Sequence, residues 1–71
     1  METRELKFIR LPAVSAMTGY SKPTIYAHIA NGKFPRPIPL VGRAVAWEVS
    51  EVQEWMRSRM ATRDAEQMTT Q

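Results

Sequence analysis

Residues 18–33 read Thr18-Gly19-Tyr20-Ser21-Lys22-Pro23-Thr24-Ile25-Tyr26-Ala27-His28-Ile29-Ala30-Asn31-Gly32-Lys33, and the fold turns on them. Gly19 supplies a residue that can end a preceding helix in the left-handed conformation, with Tyr20 behind it to pack back. Ser21 then offers a capping hydroxyl for a new helix, and Lys22 and Pro23 occupy first-turn positions where proline costs no hydrogen bond. Because Pro23 has no N–H, the serine oxygen must accept from Thr24. Ile25 and Ile29, four apart, set the buried stripe, and Asn31-Gly32 stops the helix. About nine residues are too few for a helix to stand alone in water, so packing must hold it.

Upstream, Leu11, Ala13, Val14 and Met17 fall on adjoining helical faces, and Pro12 suits a first turn. They predict a short first helix from about Pro12 to Met17, led in by Phe8 and Ile9. Downstream, Phe34-Pro35-Arg36-Pro37-Ile38-Pro39 blocks helix and favours extended chain. Leu40-Val41 and Ala44-Val45-Ala46-Trp47, about a glycine-first turn at Gly42-Arg43, predict a small β-hairpin. Ser50-Glu51-Val52-Gln53 has the spacing of a capping box and opens a third helix, whose apolar stripe is Val52, Trp55, Met56 and Met60. Trp47, Trp55, Met56, Val45 and Phe34 are the expected core.

With 71 residues the chain makes one domain, which at this size buries only about 60% of its unfolded surface. The expected division is 1–7 as a flexible N-terminus, 8–60 as the domain and 61–71 as a flexible tail. The fold class is mainly α with a small β-hairpin: three helices, the first two forming a helix-turn-helix that the hairpin follows. Cysteine is absent and histidine occurs once, at His28, so no disulfide or metal site is expected. No apolar run reaches the length of a membrane span, and the charged start Met1-Glu2-Thr3-Arg4-Glu5 does not resemble a signal peptide. A cytoplasmic protein, with no cofactor, is the expectation.

The net charge is +3, but its distribution is lopsided. Between Leu6 and Trp47 stand Lys7, Arg10, Lys22, Lys33, Arg36 and Arg43 without one acid, whereas Glu48, Glu51, Glu54, Asp64 and Glu66 crowd the last third. Such asymmetry suits a face turned to phosphate. Two short helices about a glycine turn are the unit that places a second helix in the major groove of double-stranded DNA. On that reading Ser21, Lys22, Pro23, Thr24, Tyr26 and Ala27 face the duplex. Lys22 and Thr24 reach base edges or phosphates, and Tyr26 gives its hydroxyl to a phosphate. Lys33 and Arg36 clamp the backbone, and Arg43 at the hairpin tip touches phosphates or the minor groove. His28 falls on the flank of the buried stripe as a structural residue.

The run from Leu11 through Trp55 also carries a family likeness. Thr18 to Tyr26, Gly32-Lys33-Phe34-Pro35-Arg36-Pro37, Gly42-Arg43-Ala44-Val45, Trp47, Val52 and Trp55 together resemble the AlpA-type phage and prophage regulatory proteins, compact relatives of the MerR-like winged-helix domains. The resemblance covers roughly two thirds of the chain, in order and with matching spacing. It implies a winged helix-turn-helix that binds DNA, as a prophage transcription regulator or as an excisionase-like factor that bends attachment-site DNA. RNA polymerase or a recombinase would be the further partner, and the bacterial nucleoid the location. Two positions depart from the pattern: Pro23 stands where a small hydroxyl residue is usual, and Ala27 where relatives often carry a base. Alanine offers only an apolar contact, such as one to a thymine methyl.

Other classes fit less well. The acids do not converge with a nucleophile or base, which argues against an enzyme. RNA binding would want exposed stacking aromatics. A protein-interaction adaptor built on the same helices is the competing reading from another class. A single module of this kind buries only about 600 to 1,000 Å² of its own surface on DNA, so a homodimer or cooperative assembly on repeated sites is expected.

Overall fold

The computed structural model describes residues 5–69, and their side chains through residue 66. The expectations for residues 1–4 and 70–71 lie outside the described residues. In chain order the elements are β1 (Phe8–Ile9), α1 (Leu11–Thr18), α2 (Lys22–Ala30), β2 (Ile38–Pro39), β3 (Val45–Glu48) and α3 (Val49–Thr69). The strands form one antiparallel sheet in the order β1-β3-β2.

Each layer gives one side chain to the centre: Val14 from α1, Ile25 from α2, Phe34 from the loop after it, Trp47 from β3 and Val52 from α3. All but Phe34 are fully buried, and Phe34 is nearly so. At about 1.5–3 kcal/mol per buried apolar side chain, the burial of any one of these five is large against the few kcal/mol of net stability open to a domain of this size. Ile9, Leu11, Met17, Tyr20, Ile29, Val45, Trp55 and Met56 pack around them. Trp55, an expected core residue, is therefore only half-buried, and Trp47 is the central indole.

The turn between α1 and α2 is closed by short-range bonds. Gly19, at φ 79°, donates its N–H to the Ser15 carbonyl at 2.8 Å. The Ser15 hydroxyl donates to the Tyr20 carbonyl at 2.6 Å, and the Tyr20 N–H donates to Thr18 Oγ1 at 3.2 Å. Ser21 caps α2 as the sequence predicts, its Oγ accepting from the Thr24 N–H. At the far end Gly32 donates to the Ile29 carbonyl at 3.0 Å and Lys33 to the His28 carbonyl at 2.8 Å. That pair of bonds is a Schellman motif, for which Gly32 takes φ 70°.

The hairpin turn is centred on Gly42 and Arg43, with Ala44 donating to the Val41 carbonyl at 3.3 Å. Its ladder, however, pairs Ile38 with Ala46 and Pro39 with Val45, so the strand precedes the expected Leu40-Val41. Proline is tolerated there because β2 is an edge strand and its missing N–H leaves no ladder bond unmade. The sheet also gains a strand that the sequence suggested only as an apolar lead-in: Phe8 pairs with Glu48 and Ile9 with Trp47.

The start of α3 differs from expectation for an identifiable reason. β3 passes into the helix without a loop, so Glu48 takes the capping place that Ser50 was expected to fill. Its carboxylate accepts the Ser50 hydroxyl and the Lys7 N–H, and the Val49 N–H donates to the Lys7 carbonyl at 2.8 Å. The Ser50 hydroxyl, aided by backbone N–H groups of Lys7, Ser50 and Glu51, holds the Glu48 carboxyl below its ordinary value against the opposing effect of burial. Lys7, assigned from sequence to a loose end, is thus tied to the sheet. Residues 61–69, assigned to a flexible tail, continue α3; Ala61, Arg63, Ala65 and Glu66 are good helix formers and nothing in the stretch breaks the helix.

Candidate nucleic-acid interface

Advancing about 100° per residue, α2 separates cleanly into two sides. Lys22, Pro23, Tyr26, Ala27 and Ala30 fall within one arc of about 140°, and all five are exposed. Opposite them Ile25 is fully buried, and Thr24, His28 and Ile29 are half-buried. The helix therefore turns Tyr26, 40% exposed, outward and keeps Ile25 inward.

Ser21 and Thr24, at the N-terminal end of the helix but outside this arc, are engaged with each other. Their hydroxyls lie 2.9 Å apart, which orients the Thr24 side chain while leaving oxygen lone pairs for a further contact. Lys22 and Pro23 project beside them. Arg36 is exposed on the extended loop before β2, and the loop is anchored where the Trp47 indole donates to the Pro35 carbonyl at 3.0 Å. Arg43 is exposed at the hairpin tip. Among the described residues, none of Lys22, Lys33, Arg36 and Arg43 is held in an ion pair.

Lys33 sits apart from the α2 arc. The Schellman turn folds the chain back, and Lys33 joins Tyr20, His28, Trp55 and Arg59 around a cleft of about 220 Å³. Arg59, His28 and Tyr20 were not among the site residues read from sequence. Arg59 lies 26 positions from Lys33, and no local pattern joins them; the Asn31-Gly32 pair was the one available signal that Lys33 returns to His28.

A helix, a tight glycine turn and a second helix with one open face, followed by a hairpin and a third helix, define a winged helix-turn-helix domain. The chain belongs to the family described as Prophage CP4-57 regulatory protein (AlpA), whose model matches residues 7–60. That is a regulatory family of phages and prophages. A similar protein, "Uncharacterized protein ORF88" of Enterobacteria phage P4, is 46% identical over 57 residues, covering 80% of this chain and 65% of its own length. The chain thus spans just under two thirds of that relative. The family match ends at Met60, whereas α3 runs on to Thr69. No helix among the described residues is long and apolar enough to cross a membrane.

Proposed function

We propose that this protein is a sequence-specific double-stranded DNA binder that regulates transcription of phage or prophage genes. The observation that carries the reading is the open arc of α2, with Lys22 at its N-terminal end and Tyr26 and Ala27 further along, on a helix whose other side is locked into the core. A helix presented in this way fits the major groove, which is about 12 Å wide. Lys22 and Thr24 meet base edges, Ala27 contacts a thymine methyl and Tyr26 gives its hydroxyl to a phosphate. Ser21 and Pro23 fix the entry of the helix, the serine as cap and the proline by its restricted φ. Lys33 and Arg36 hold backbone phosphates from the loop beyond α2, and Arg43 follows the duplex from the hairpin tip.

The regulatory family supports the role, and the acid-free stretch from Lys7 to Trp47 supports a polyanionic partner. The contact area of one module favours two copies on adjacent sites. The test is selection of bound duplexes from a random pool, followed by salt titration on the selected sequence. A shared motif, with log affinity falling linearly in log salt, is the expected result. No enrichment, with no affinity for mixed duplex at low salt, would leave the adaptor reading in its place.

A further inference from the structure

The cleft behind α2 is built from four parts of the chain. Tyr20 comes from the helix-turn-helix turn, His28 from α2, Lys33 from the loop after it, and Trp55 and Arg59 from α3. His28 lies about 170° round the helix from the middle of the exposed arc, so the cleft faces away from the side offered to the major groove. Its aromatic walls are held by ring contacts and backbone hydrogen bonds. The rings of Tyr20 and His28 stand 5.1 Å apart, and those of Tyr20 and Trp55 meet edge to face at 5.8 Å. The Trp55 indole donates to the Lys33 carbonyl at 2.7 Å, and the Lys33 N–H to that of His28 at 2.8 Å.

Every lining residue with a permanent charge is a cation, Lys33 and Arg59, and no carboxylate lines the cleft. Neither cation is in an ion pair among the described residues. We infer that this cleft is an oxyanion site that takes a phosphate group, with Lys33 and Arg59 as charge-bearing donors and His28 and the Tyr20 hydroxyl as supporting ones. A guanidinium fork and a mobile ammonium approaching from different elements suit a tetrahedral anion rich in acceptors. The volume, below the roughly 300–1,000 Å³ of sites that enclose drug-sized ligands, fits a small anion or the projecting phosphate of something larger. Two sources offer that chemistry: a free phosphorylated small molecule, or the backbone of a duplex passing beyond the end of α2. In either case the anion joins the turn, α2 and α3, and so bears on the placement of the helix in the groove.

His28 is the one histidine of the sequence, so its ring resonances report on the cleft without ambiguity. The 71-residue chain is titrated with inorganic phosphate at constant ionic strength, with chloride as control, and separately with a short duplex. Saturable movement of the His28 signals by phosphate and not chloride, weakened roughly tenfold in Arg59→Gln, is the result expected for a free anion. Movement by the duplex alone, with duplex affinity again roughly tenfold lower in Arg59→Gln, assigns the seat to a backbone phosphate. Lys33→Gln repeats the measurement from the other wall, and circular dichroism checks that both variants keep their helices. No saturable movement with either titrant, or unchanged affinity in both variants, overturns the site. A chain that takes up phosphate but ignores every duplex removes the proposed DNA binding and keeps the cleft. One that binds duplex while neither duplex nor phosphate moves His28 does the reverse.

Discussion

The Trp55 indole of α3 donates to the carbonyl oxygen of Lys33, 22 residues earlier, at 2.7 Å. With the Trp47 bond to Pro35, two indoles grip the backbone on either side of Phe34, whose own ring is buried and meets Trp55 edge to face at 4.8 Å. The segment after α2 is therefore fixed by three separate contacts, although it contains neither helix nor strand.

The two tryptophans should respond differently to substitution. Trp55→Phe keeps an aromatic wall and loses the hydrogen bond, and is expected to cost about 1 kcal/mol. Trp47→Ala empties the centre of the core and should cost about 3–5 kcal/mol, most of the stability of a domain this small. Urea midpoints by circular dichroism check both; equal losses would contradict the assignment of Trp47 as the central ring.

Acid should weaken the fold through Glu48. Its folded carboxyl titrates below its ordinary value, held there first by the Ser50 hydroxyl and then by backbone N–H groups. The stabilisation is fully present above the unfolded carboxyl's titration range and is lost as pH falls through the lower, folded value. Urea midpoints between about pH 6 and about pH 2 should decline, and Glu48→Gln should be less stable at neutral pH with a shallower decline. A variant that tracks the parent at every pH would show that the cap contributes nothing.

At Gly32 the left-handed backbone has open space where a Cβ would stand, so substitution is opposed by conformation alone. Gly32→Ala should cost roughly 1–2 kcal/mol, Gly32→Asn less, and Gly32→Val most. Thermal melts establish the order. A neutral valine would mean that the turn is free to change shape.

On DNA, Lys22→Ala should lower affinity for the selected site by about 1–3 kcal/mol while changing random-sequence binding less. Arg43→Ala should weaken both alike and reduce the magnitude of the salt slope by about one. Fluorescence anisotropy across a salt series distinguishes them. Equal effects of the two variants on both duplexes would remove α2 from its reading role.

Much of this was legible because it is local. The serine cap, the glycine stops and the inward Ile25 beside the outward Tyr26 each depend on neighbours within about one helical turn. What escaped was set from a distance. The pairing of Phe8 and Ile9 is too short to show a period, and appears only once Trp47 and Glu48 lie alongside. Ser50…Gln53 carries the capping pattern, yet Glu48 takes the place because strand runs straight into helix. Lys33, read as a clamp for the duplex, shares a cleft with Arg59 only through the packing of α3.

The union of Lys7 with Glu48, 41 residues apart, bears on the order in which the molecule assembles. The two short helices and the hairpin arise from neighbours in the chain, but β1 finds its partner only once a loop of that length has closed, at an entropic cost that local contacts do not carry. A chain emerging from the ribosome must therefore release β3 and the start of α3 before its first strand can find the neighbours that hold it.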